Sequence, residues 1–123
     1  MRQWLFGSLL ALLAVTQAVA GSVTITGGYI QVGPAQLGLA IGGSAVLLTV
    51  PAGAEIAEIC VETASVRYRD DGTAPTTSSG VPVFPVSSSQ PFCFAYGGPL
   101  QRLQFIAVSG SPTLDVVYYK TSE

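Results

Sequence analysis

The sequence predicts an all-β chain folded as an antiparallel β-sandwich beyond residue 20. Three observations predict it. Apolar residues after Gly21 never recur at i, i+3, i+4 and i+7 over a capped window, so no amphipathic helix is written there. Short runs rich in Val, Ile, Tyr and Phe are separated by Gly, Pro and Asp-Gly punctuation. Eight or nine such runs share about a hundred residues, and each sheet they build can bury its apolar face only against another sheet.

In chain order, residues 1–20 (MRQWLFGSLLALLAVTQAVA) carry one basic residue, Arg2, an apolar run from Trp4 to Val15, and Ala18-Val19-Ala20 ahead of Gly21. That is the plan of a secretory signal peptide cleaved after Ala20, since the run is shorter than the roughly 20 apolar residues of a bilayer span. The other reading is an apolar N-terminal helix that stays attached. Residues 21–123 then form a single sandwich domain. Strands are expected at 22–26, 29–32, 37–41, 45–50, 55–69, 81–84, 91–96, 100–108 and 114–120. The run 55–69 is too long for one straight strand, so a bend or bulge is expected inside it.

Through CVETASVRYR, strict alternation puts Val61, Thr63, Ser65, Arg67 and Arg69 on one face and Cys60, Glu62, Ala64, Val66 and Tyr68 on the other. Nearer the end, Leu103, Phe105 and Ala107 share a face, as do Leu114, Val116 and Tyr118, and both sets read as core.

With 5 basic and 7 acidic residues in 123 there is no basic cluster, and no nucleic-acid partner is expected. The chain has no His, which excludes Ser-His-Asp and Cys-His catalysis and histidine metal sites. Cys60 and Cys93 each lack a second cysteine nearby, which excludes thiolate zinc. Those two cysteines leave two readings open: a disulfide if the chain is exported, or small buried thiols in neighbouring strands.

An enzymatic reading would need paired carboxylates among Glu55, Glu58, Glu62, Asp70, Asp71 and Asp115, set across a deep cleft that short sandwiches seldom provide. Asp70-Asp71-Gly72 could open a calcium loop, but Ala74 and Pro75 stand where further oxygen ligands are required. No cofactor and no metal are expected.

The densest charge lies in SVRYRDDGTAPTTSSGVP, with two basic and two acidic residues between Arg67 and Asp71. Asp and Gly suit a turn, and Arg67 and Arg69 share a strand face from which a guanidinium reaches a carboxylate folding back. The expectation is a structural clamp at a strand end, holding the Thr-, Ser- and Pro-rich loop 73–80 as an extended arm presented to a neighbour.

The segment VRYRDDGTAPT followed by Gly80 resembles the V-R-[WY]-R-D-D-G-T-x-P-T-x-x-x-G pattern of small structural proteins encoded among the virion genes of tailed bacteriophages and prophages. FAYGGPLQRLQFIAVSGSPTLDVVYYK is similar to the closing pattern of that family. The resemblance implies a non-enzymatic virion component with a β-sandwich or jelly-roll body, decorating or cementing a capsid or belonging to a tail. Its partners would be other virion proteins and itself, and its location the virion.

The matching positions are Arg67, Arg69, Asp70, Asp71, Gly72, Thr73, Pro75, Thr76 and Gly80, read as structural and subunit-contact residues. The N-terminal segment departs from the pattern, as do Cys60 and Cys93. They point to the alternative, a periplasmic or secreted binding module whose 80–90 region contacts a glycan or protein, touching a membrane only transiently through its first 20 residues.

Overall fold

The computed structural model describes residues 28–122; the signal peptide or apolar helix expected at 1–20 and the strand expected at 22–26 lie outside the described residues. Two antiparallel sheets pack face to face as a β-sandwich. The strands are β1 (Tyr29–Gln31), β2 (Gln36–Ala40), β3 (Val46–Leu47), β4 (Ile56–Glu62), β5 (Val66–Arg69), β6 (Val81–Val83), β7 (Phe92–Tyr96), β8 (Gln104–Ala107) and β9 (Thr113–Thr121).

One sheet runs β1-β9-β4-β7, with β2 also pairing along β9; the other runs β3-β8-β5-β6. Alternation in β9 is strict: Leu114, Val116 and Tyr118 are fully buried, while the residues between them face outward. Against them pack Ile59 and Val61 of β4, Val66 of β5 and Phe105 of β8. Leu103 joins this core from the end of a short 3-10 helix, Leu100–Arg102, that replaces the start of the strand expected at 100–108.

The long run 55–69 is two strands in two different sheets. The break falls at Thr63, the one described non-glycine residue with positive φ (81°), and the Ala64 N–H donates to Glu62 O at 2.9 Å. This corner carries the chain from one sheet to the other and resets the alternation. Ala57, Ile59 and Val61 face the core before it, and Val66 after it. The single frame expected from sequence, with Val61 beside Arg67 and Arg69, is therefore wrong: period-two counting holds only while a strand stays in its sheet.

Candidate functional site

The charged segment closes on itself in a definite way. From the end of β5, Arg69 takes both carboxylate oxygens of Asp71, Nε to Oδ1 at 3.1 Å and a terminal nitrogen to Oδ2 at 2.5 Å. Its other terminal nitrogen donates to Ser79 Oγ at 3.1 Å. The Arg69 hydrogen bond, and then the Thr73 N–H at 3.1 Å, hold the Asp71 carboxyl down at about 2. Gly72 takes φ 87° between them, a conformation that side chains resist.

Arg67 grips backbone instead, donating to Thr77 O at 3.0 Å and to Gly80 O at 2.7 Å. The loop is thus no extended arm. Thr76 and Ser79 exchange backbone hydrogen bonds in a small hairpin, Pro75 is buried beneath it, and the two arginines tie it down onto β5. Extension was expected from Ser, Thr and Pro content, but the carbonyls at Thr77 and Gly80 find strong cationic donors only by folding back.

Asp70 and Asp71 part company. Asp70 accepts from the Tyr96 hydroxyl of β7, so it bridges the two sheets, and burial followed by that bond raises the Tyr96 phenol well above its ordinary value. Asp115 lies on the outer face of β9, where it accepts from Gly38 N–H at 2.8 Å and its hydrogen bond raises the Glu62 carboxyl. Cys60 and Cys93 are joined (S–S 2.00 Å), tying β4 to the edge strand β7.

Beside the Tyr96–Asp70 bridge the sandwich is open. A groove of about 410 Å³ lies between edge strands β6 and β7, lined by Tyr68, Val81, Pro82, Val83, Phe84, Phe92 and Phe94. Its aromatic lining is continuous: Phe92 stacks on Phe94 at 6.2 Å and Phe94 on Tyr68 at 6.0 Å between ring centroids. In register, Phe92, Phe94 and Tyr96 stand opposite Val61, Ile59 and Ala57, so they belong to the inner face. At this edge, however, Phe92 stays 40% and Phe84 61% exposed. From Gly72 to Gln101 the sequence has no charged residue, so nothing charged covers this edge from its own strands.

The backbone of the two edges differs. In β9, Tyr119 O accepts from Glu55 N–H at 2.7 Å on the β4 side, and Tyr118 O accepts from Val32 N–H at 2.9 Å on the opposite side. The unbroken register then directs Asp115 toward Cys60, so Cys60 hydrogen-bonds β9 and the Cys60–Cys93 pair is the close, unbonded kind, with a Cα–Cα distance of 4.0 Å. Cys93 and Ala95 accordingly turn their N–H and C=O groups to the free edge.

In the other sheet Val108 N–H donates to Ser65 O at 3.0 Å, which makes Arg67–Ile106 a bonded pair and turns Pro82 outward. The β6 edge therefore lacks a donor at its centre, while the β7 edge has two residues whose outward backbone groups no described residue bonds.

No protein-family model, curated protein or solved structure matches the chain. Of the residues singled out from sequence, those between Arg67 and Gly80 gather at the end of β5, whereas the groove aromatics Phe92 and Phe94 were not among them. Two signals marked the groove: thirty consecutive residues without charge, and the apolar run VPVFPV.

Proposed function

We propose that the chain is a non-enzymatic structural protein of a tailed-phage virion, a capsid-decorating or tail-associated subunit that works through contacts with other virion proteins and with itself. The observation that carries this reading is the apolar groove between β6 and β7. A groove lined by valine, proline and aromatic side chains offers its occupant dispersion and apolar burial, beside a strand edge able to add a partner's backbone. The Tyr68 phenol, raised by burial, is the titratable side chain of its lining, and no carboxylate, amine or thiol lines the groove beside it.

The strand order supports the finer reading of a jelly roll. Counting β1 and β2 as one interrupted strand along β9, the eight strands fall as 1-8-3-6 facing 2-7-4-5. This is the two-Greek-key pattern used by viral capsid subunits. The same fold also serves lectins and cupins, so the function is argued from the edge surface rather than the fold. The Arg67–Gly80 hairpin, held rigid by Arg69–Asp71, is the second contact surface of this reading.

The test is mass-spectrometric detection of the chain in phage particles purified on a density gradient. Recovery in fixed ratio to the major capsid or tail subunit supports the proposal. A chain absent from particles and found in the periplasm or medium, starting at Gly21, overturns it. That outcome would favour the alternative, an exported binding module, which the Cys60–Cys93 disulfide supports because such bonds persist in oxidising compartments.

A further inference from the structure

We propose that the β7 edge and its groove receive residues 22–26, SVTIT, of a second copy, added as an antiparallel strand. This rests on the reading of the chain as an assembling subunit and names the contact by which copies join. The segment alternates strictly, with Val23 and Ile25 on one face and Ser22, Thr24 and Thr26 on the other, and glycines flank it.

One register satisfies both the backbone and the groove. With Thr24 opposite Cys93 and Ser22 opposite Ala95, the outward backbone groups of β7 that no described residue bonds find partners. Val23 and Ile25 then stand opposite Phe94 and Phe92, on the inner face, over the aromatic lining. Two β-branched side chains fit within about 410 Å³, and the hydroxyls face water. Neither SVTIT nor residues 72–101 carries a charge to be desolvated.

The donor must be another copy. Gly28 is fixed beside the last residues of β9, where its carbonyl accepts from Ser122 N–H at 2.5 Å, and β1 follows it at the edge opposite β7. A strand beyond β7 lies four strand spacings from β1, about 19 Å across the sheet. Only Gly27 links Thr26 to Gly28, a reach of about 7.6 Å. A symmetric β7–β7 pairing is disfavoured by shape, since each copy would then bring a concave edge to the other and leave both grooves unfilled. Donation of a strand from one end to the opposite edge of the next copy is head-to-tail, so it builds rings or filaments rather than closed dimers.

Sedimentation velocity on the full-length chain over a hundredfold concentration range tests this, with Ile25→Asp and Phe92→Asp as the two variants. Ile25→Asp loses the donor and keeps the acceptor; Phe92→Asp does the reverse. Wild type is expected to form species larger than dimers, and each variant to remain monomeric with its apparent dissociation constant raised at least tenfold. An equal mixture of the two variants should yield dimers and nothing larger, because each pair of copies then has one intact junction.

Should Phe92→Asp fail to fold, Ala95→Pro, which removes an edge donor, takes its place. Assembly of Ile25→Asp like that of wild type overturns the proposal and indicates a β7–β7 or other interface, and so does a wild-type chain that stays monomeric throughout. Strand exchange in a chain missing from phage particles would instead overturn the virion reading alone.

Discussion

The hydroxyl of Tyr96 on β7 donates to the carboxylate of Asp70, the residue that follows β5, and so joins the two sheets at the edge where the groove opens. At one end of this edge a polar bridge holds the sheets together. At the other, Phe92 and Phe84 stand partly exposed. The groove lies between these two ends, lined by Tyr68, Phe94 and the β6 valines.

Tyr96→Phe is expected to lower stability by about 1.5 kcal/mol, the contribution of a partly buried hydrogen bond to a charged acceptor. Urea titration at neutral pH measures it. A midpoint equal to wild type would show that the bridge holds nothing.

The Asp71 carboxyl titrates at about 2, below its ordinary 3.8, because Arg69 and the Thr73 N–H favour the charged form. A group with a depressed folded-state value contributes stability that is fully present above its unfolded value and lost as pH falls through the folded one. The melting-temperature difference between wild type and Asp71→Asn should therefore be constant above pH about 5 and shrink between about 4 and 2. High salt should reduce it as well, since the pair is solvent-exposed. A difference that ignores both pH and salt would remove the ion pair from the account.

Gly80 takes φ 133°, and a Cβ there would lie 2.9 Å from Tyr68 O and 3.3 Å from both Arg67 Cβ and Pro75 Cβ. Gly80→Ala should cost about 1 to 3 kcal/mol and loosen the hairpin on Arg67. Hydrogen exchange at Thr76 and Ser79, whose amides bond each other's carbonyls, is expected to quicken. Unchanged protection at those two amides would argue against the close packing of this return.

Replacing Cys60 and Cys93 together by alanine removes a link across 33 positions and should destabilise the fold by about 3 kcal/mol, mainly by freeing the unfolded chain. Unfolding of wild type with and without reductant provides the same comparison without mutation. Because the bond ties edge strand β7 to β4, exchange should rise first at Phe94 and Tyr96, whose amides pair with β4.

The clamp shows how far residue chemistry reads without a fold. Arg69, Asp71 and Gly72 are close in the chain, so their fork and turn follow from local geometry, and the sequence points to them directly. The partner of Asp70 lies 26 positions away on the other sheet, and no local rule names it. The hairpin within residues 73–80 was hidden for a related reason: its anchor is a side chain ten or more residues upstream.

What the sequence by itself determined was the all-β class, the turn positions, the apolar alternation of β9 and the core placement of Leu103, Phe105 and Ala107, because period-two patterning and glycine or proline punctuation act within a few residues. Tertiary structure alone decided that residues 55–69 divide between two sheets at Thr63, that β6 and β7 are edges among the described strands, and that an apolar groove lies between them. Those outcomes depend on which strands lie side by side, and strand neighbours are chosen by the packing of the whole core rather than by any segment's own preferences.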